Sequence, residues 1–321
     1  ITPPVPPVAR LPLVIRDIVE AADGCRVYHL EHIDGSPLPS AEAGAHIGLF
    51  LANGLERQYS LFGGGETPSS YGIGVKRDPN SRGGSSYIFD TFKVGDAVTA
   101  DPPRNNFPLD EGAAESLFIA GGIGITPIRA MVRRLDQIGK AWTLHFAART
   151  RSEAPFADEL AALPNVHLHF NDERGGILPI ADIVKAAPPG AHLYCCGPAP
   201  MLASSEESAA AAGLPAEHVH VEYFTQKYEA ATDGGYTVSL ARTGAEVRVA
   251  PGQTILDAVR SLGLDVSTSC EEGICGACET RVLEGTPDHR DAILTERERL
   301  ANKTMFICCS GAKSERLVLD L

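Results

Sequence analysis

The sequence predicts a multi-domain protein: an antiparallel β-barrel or sandwich first, an α/β domain with a parallel sheet second, and a small α+β unit last. Three observations carry this reading. From Leu11 to Phe107 short apolar runs alternate with turn residues, the spacing of an antiparallel barrel or sandwich. From Ser116 to Phe224 strand and helix patterns take turns, which a parallel sheet covered on both faces requires. After the polar stretch TQKYEAATDGG, short strands and helices surround a cluster of cysteines. A chain of 321 residues is also too long for one ordinary core.

In the first part, LPLVIRDIVE, CRVYHLEHI, HIGLFLANG, RQYSLFG, YGIGVKR and DAVTADPP read as strands, and SSYIFDTF is the single helix. In the second, LFIAGGIGITPIRAMVRRLDQIG gives a buried strand, a glycine turn and an amphipathic helix. WTLHFAART and VHLHF are strands, ILPIADIVKAA a helix, HLYCCGP a strand, MLASSEESAAAAGL a helix and VHVEYF a last strand. TQKYEAATDGG is a linker by composition. YTVSLARTGAEVRVAPGQ then reads as a hairpin and TILDAVRSLGL as a helix, before TRVLEG, ILTERERLANK, MFICCS and RLVLDL. The expected boundaries are 1–110, 111–226, a linker at 227–235, and 236–321.

Composition narrows the function. A formal net charge of -13 argues against nucleic acid, whose phosphates attract basic surfaces. No apolar run approaches the ~20 residues of a membrane helix, and the proline-rich opening ITPPVPPVAR has no basic-then-apolar signal pattern. The 8 cysteines are clustered rather than spread as a disulfide framework, which points to a reducing compartment, the cytoplasm, with thiolates reserved for a metal.

Cys270, Cys275 and Cys278 stand in the C-x4-C-x2-C spacing of plant-type 2Fe-2S sites. Iron takes tetrahedral thiolates, and Gly273 and Gly276 let the backbone wrap a cluster with its N–H groups facing sulfur. Structural zinc would favour two close C-x2-C pairs, and only one is present. The segment resembles plant-type ferredoxins, whose gap from third to fourth ligand lands on Cys308. If MFICCS is a strand, Cys309 faces the other way and packs as a small apolar residue.

Arg57, Gln58, Tyr59 and Ser60 form a second motif, RQYS, with Arg57 and Tyr59 on one strand face. A third, Arg82-Gly83-Gly84-Ser85, leads into the helix of the barrel, where free N–H groups can meet a phosphate; alone, it could be a plain surface turn. Together they resemble the ferredoxin-reductase flavin barrel. That resemblance implies that Arg57, Gln58, Tyr59 and Ser60 hold the isoalloxazine and phosphate, and that Gly74, Val75 and Lys76 line the ring. It further implies that Arg82, Gly83, Gly84 and Ser85 grip the phosphate, with Thr126 approaching from the next domain.

GGIGITP places Gly121, Gly122 and Gly124 between a strand and a helix, without matching the G-x-G-x-x-G fingerprint. CCGPAPM places Cys196, Gly197 and Pro198 at another strand-to-helix junction, the crevice where open parallel sheets bind ligands. The two motifs resemble the pyridine-nucleotide domain of the same reductase family, in which Cys196 would lie beside the nicotinamide. NADH is favoured by domain order and resemblance. Thr150 and Arg151 stand where NAD users of the family commonly have an acidic residue; Arg151 could meet a 2'-phosphate or be a loop charge, and Asp172 could reach a ribose.

The order of modules is similar to that of the phthalate dioxygenase reductase family, and the likeness extends to DHRDAIL and the terminal LVLDL. It implies an FMN barrel, an NAD domain and a β-grasp ferredoxin domain, with Ser60, Thr126, Cys196 and Phe224 nearest the hydride path. It also implies an NADH-dependent enzyme. Nicotinamide yields two electrons at once and a 2Fe-2S centre accepts one, so a flavin stands between them. No acid, base or nucleophile is demanded, and His145, His167 and His169 are expected to be sheet residues. The partner implied is the Rieske-type terminal component of an aromatic-ring oxygenase, served by a monomeric reductase. A demethylase or cytochrome P450 partner, or a redox sensor without turnover, are the alternatives.

Overall fold

The computed structural model describes residues 9–63 and 65–321, so the lead-in ITPPVPPVAR lies almost wholly outside the described residues. The chain divides into two compact units, 1–222 and 223–321, and the first holds both the barrel and the parallel sheet.

Six antiparallel strands close the barrel: β1 (Leu11–Ala22), β2 (Cys25–His32), β3 (His46–Phe50), β4 (Glu56–Phe62), β5 (Ser70–Lys76) and β6 (Ala97–Ala100), in the order β1-β2-β5-β4-β3-β6. The β1–β6 pairing decides for a barrel over a sandwich. Alternation along β5 sends Tyr71, Ile73 and Val75 into the core with Leu13, Tyr28, Leu49 and Leu61. The helix α1 (Ser85–Thr91) packs through Ile88.

The parallel sheet has the order β11-β10-β7-β8-β9. Its elements are β7 (Glu115–Gly121), α2 (Ile125–Gln137), β8 (Ala141–Ala148), α3 (Ala157–Ala161), β9 (Val166–Phe170), α4 (Asn171–Arg174), α5 (Ile180–Lys185), β10 (His192–Cys196), α6 (Ala199–Ala212) and β11 (Val219–Glu222). Buried on both faces, β7 and β10 are continuous apolar runs past Ser116 and His192. His145 and His167 are register partners with rings stacked at 4.7 Å, as sheet residues.

The second unit carries β12 (Thr237–Leu240), β13 (Glu246–Arg248), α7 (Ile255–Ser261), β14 (Glu279–Glu284), β15 (Pro287–Asp288), α8 (Glu296–Ala301), β16 (Thr304–Phe306), β17 (Gly311–Ala312) and β18 (Arg316–Leu319). One five-stranded sheet, β13-β12-β18-β14-β16, covers α7, whose start is fixed by the Thr254–Asp257 capping box. The stretch 227–235, expected as a linker, has no regular structure, yet its backbone is tied down. Ala231 donates to the Cys309 carbonyl at 2.8 Å, and the Thr232 carbonyl accepts from Gly252 at 2.8 Å. Among the described residues no helix is long and apolar enough to cross a membrane.

Candidate cofactor and electron-transfer sites

In the first unit the expected residues fall into two groups, one at the start of β4 and of α1 and one where β5, β7 and β10 end. The Arg57 side chain lies over Gly84, where an added Cβ would come 2.5 Å from its Nε. Glycine there is a space requirement, and it sets a guanidinium beside the turn that opens α1. Gly83 takes φ +86, and Asn53 donates to its carbonyl at 2.9 Å. Ser85 Oγ accepts from the Asp78 N–H, while Arg82 is exposed. Gln58, on the opposite face from Arg57, donates to Glu56 Oε1 at 2.9 Å, and Tyr59 packs on the barrel core. The cradle of Arg57 and Gly84 fits a phosphate-bearing flavin.

The Val75 side chain is fully buried in the barrel core, which leaves its backbone to face a ring. Lys76 lies 3.9 Å from Glu153, drawn to the second strand's loop. Gly74 instead faces Thr126, whose methyl would be 2.7 Å from a Cβ there, while its hydroxyl donates to the Ile123 carbonyl at 3.0 Å.

The glycines of the two nucleotide turns have separate tasks. A Cβ on Gly124 would sit 2.3 Å from the Cys196 carbonyl oxygen, and one on Gly121 would sit 2.7 Å from Pro198 Cδ and 2.8 Å from Met201 Sδ. Gly197 is pressed against the same sulfur and Gly121 N. These three let the turns touch backbone to backbone. Gly122, at φ +53 with open space around it, is the one free to admit a ligand toward the start of α2.

Glu222 was not singled out from the sequence. The parallel register sets it opposite Cys196, with Cys196 Sγ 3.8 Å from Oε2, and its carboxyl also hydrogen-bonds the Ser60 hydroxyl. Burial pushes the Glu222 carboxyl up to about 8 and the Cys196 thiol well above its ordinary value. A carboxylate at the carboxyl end of a strand in VHVEYF was the available signal. Ser60, Cys196 and Glu222 thus form one polar group fed by the barrel and by two sheet strands. A cavity of 950 Å³ in this unit is lined by residues that include Phe62, Arg129, Arg151 and Phe156, and by none of these three. Thr150 accepts from the Glu153 N–H, and Arg151 lies over the Phe170 ring, 3.6 Å from Glu173 and 3.9 Å from Asp158. The Asp172 carboxyl accepts from the Glu173 N–H.

In the second unit Phe224, expected over the flavin, is 39% exposed near the start. The cysteine loop is built on left-handed residues, Glu271 (φ 57), Gly273 (φ 71) and Gly276 (φ 81). Glu272 N–H points at Cys270 Sγ (3.3 Å), Cys270 N–H at Cys275 Sγ (3.4 Å), and Gly273 N–H at Cys308 Sγ. Cys270 hydrogen-bonds Cys275, and Cys278 hydrogen-bonds Cys308. No three metal-ligating side chains among the described residues are placed to hold a single metal ion. Two thiol pairs suit a two-iron cluster, which takes two ligands on each iron. The Gly273 N–H points at Cys308 Sγ, a contact that favours the thiolate iron requires.

The alternation argument for Cys309 does not apply, because β16 ends at Phe306 and both cysteines sit in the turn beyond it. Within that turn the two thiols hydrogen-bond each other. Cys309 Sγ faces the Phe306 carbonyl at 3.7 Å and would be 2.6 Å from a Cβ on Gly273.

A model of the oxidoreductase NAD-binding domain matches residues 118–207, and one of the 2Fe-2S iron-sulfur cluster binding domain matches 238–313. The chain is 49% identical to phenoxybenzoate dioxygenase subunit beta of Ectopseudomonas oleovorans, over 98% of both chains. Among solved structures it is similar to an intact type IV self-sufficient cytochrome P450 monooxygenase (TM-score 0.90, 37% identity), covering 97% of this chain but 41% of that one. It is also similar to phthalate dioxygenase reductase (TM-score 0.71, 34% identity, 98% of both chains). With Arg57 over the Gly84 turn, paired nucleotide turns and two thiol pairs in one chain, this protein belongs to the phthalate dioxygenase reductase family, oxidoreductases that use NADH, FMN and a 2Fe-2S cluster.

Proposed function

We propose that this chain takes electron pairs from NADH and delivers them singly to an oxygenase component of the Rieske type. The observation that carries the reading is the contact of Ser60, Glu222 and Cys196 at the carboxyl ends of β10 and β11, beside the Gly121–Gly124 turn. Bound FMN would supply the conversion between two-electron and one-electron chemistry.

The chain's own residues do the rest. Arg57, with Arg82, Gly83, Gly84 and Ser85, holds the flavin phosphate, while Tyr59 and the Gly74–Lys76 backbone flank the ring. Gly122 and the start of α2 take the dinucleotide, and Thr126 fills the space behind Gly74. Glu222, kept protonated by burial at neutral pH, holds a proton at its carboxyl and shares it with Ser60. Cys196, buried and un-ionised, gives an apolar wall that excludes water from the nicotinamide. Cys270, Cys275, Cys278 and Cys308 hold the cluster. The engagement of Arg151 by Glu173 and Asp158 favours NADH, since an arginine already facing two carboxylates is poorly placed for a 2'-phosphate.

The partner reading draws on the dioxygenase relative and on the reductase structure; a P450 partner is the second reading, supported by the P450 whose chain includes a similar region. We further propose a cytoplasmic monomer, supported by the absence of any disulfide among the described residues, with module boundaries at 110, 226 and 235. Anaerobic addition of NADH to the holoprotein should bleach the flavin band and then the cluster band, and catalytic NADH should sustain cytochrome c reduction. A flavin that NADH leaves oxidised would sink the proposal.

A further inference from the structure

A buried carboxylate stands directly behind the cysteine loop. Asp291 has no exposed surface. Its Oδ2 accepts from the N–H groups of Ile293 at 3.0 Å and Leu294 at 2.7 Å, and Arg299 Nη2 lies 3.8 Å from the same oxygen. Arg299 also donates to the Asp291 carbonyl at 2.5 Å and to the Leu294 carbonyl at 3.1 Å. Oδ1 is buried without a hydrogen-bond partner among the described residues. It stands 3.9 Å from His289 Nδ1, equally unpartnered, on a ring whose Nε2 meets Asn302 Oδ1 at 3.2 Å.

The segment carrying this charge is bonded to the loop. Ala292 N–H donates to the Gly273 carbonyl at 2.9 Å, and a Cβ on Gly273 would come 3.0 Å from Asp291 Cα. Gly273 in turn gives its N–H to Cys308 Sγ. One residue, Gly273, therefore links Asp291's segment to a sulfur ligand. On the opposite strand turn, Arg290 N–H donates to Ser310 Oγ at 3.1 Å, so the same segment also braces the residues following Cys309.

We propose that Asp291 is a positioning residue for the iron–sulfur cluster and that its buried negative charge makes the cluster a weaker electron acceptor, with Arg299 partly offsetting it. The proposal rests on the reading that Cys270, Cys275, Cys278 and Cys308 hold the cluster. Reduction adds one negative charge. An anion in a dry surrounding opposes it far more than a surface carboxylate, because little water screens the pair. Net charge and hydrogen bonds to sulfur are the recognised controls of such potentials. Asp291 governs both, the charge directly and the Gly273 N–H through the strap. A cluster held less eager for its electron passes it on more readily.

Potentiometric titration of the full-length holoprotein, followed by the reduced-cluster EPR signal, tests this. Asp291→Asn keeps an acceptor for Ile293 and Leu294 and aims its amide toward His289, so only the charge is lost. The equilibrium constant for cluster reduction should rise about tenfold, equivalent to ~59 mV for a one-electron couple. Arg299→Gln leaves the anion uncompensated, and the constant should fall about threefold, ~28 mV on the same scale. Opposed shifts support the proposal, because a purely structural role would move both variants in one direction. Shifts of the same sign, or both within twofold of wild type, overturn it. Should Asp291→Asn shed its iron, Arg299→Gln decides alone: a fall supports the proposal and its absence overturns it. A wild-type protein without the signal would instead overturn the ligand reading and this inference with it.

Discussion

Cys196 and Glu222 face each other across adjacent parallel strands, Sγ 3.8 Å from Oε2, with the Ser60 hydroxyl on the same carboxyl. A thiol and a carboxylic acid at the mouth of a parallel sheet are each kept in the protonated form by burial. Their protonation states should therefore be visible in both stability and turnover.

Glu222 titrates near 8 in the folded chain and near its ordinary 4.5 when unfolded. Below 4.5 both states carry the proton; between 4.5 and 8 only the folded state does, so stability falls as pH rises through that window and levels off above it. Glu222→Gln should flatten this slope. It should melt higher than wild type at pH 8, by ~2–4 °C for each kcal/mol recovered. It should also lose a pH inflection near 8 in NADH-driven flavin reduction, read by stopped flow.

Gly124 has φ -62, which any residue adopts, so its substitution is a purely steric test. Gly124→Ala would drive a methyl into the Cys196 carbonyl and part the two turns. Calorimetry should register a loss of ~1–3 kcal/mol, the usual cost of overpacking, and KM for NADH should rise.

Arg57→Ala should release flavin. Removing a charge-assisted contact of ~1.5–3 kcal/mol predicts roughly ten- to a hundredfold weaker FMN retention, measurable by fluorescence of the freed cofactor.

Cys308→Ser should abolish the reduced-cluster EPR signal, because Cys308 pairs with Cys278 and receives the Gly273 N–H. Cys309→Ser should keep it. The reverse pattern would exchange the two assignments.

Both the α1 helix and the strands of the parallel sheet were legible, because period and turn residues are local properties. The docking of 227–235 was not: its polar composition reads as a linker, while its hydrogen bonds to Cys309 and Gly252 depend on residues far along the chain. The inward side chain of Val75 follows from strand alternation once the barrel closes, but which face is inward depends on the β2 and β4 neighbours.

By itself the sequence determined the iron–sulfur spacing at Cys270–Cys278, because that motif is contiguous; the RQYS strand and the two glycine turns are equally local, and their resemblance to the reductase family is what named the flavin and the nicotinamide. Only the tertiary structure decided how these motifs cooperate. Ser60, Cys196 and Glu222 come from three strands, and Asp291 meets Gly273 across a gap in sequence. Burial and hydrogen bonding, which set charge states, are properties of neighbours that the order of residues does not name.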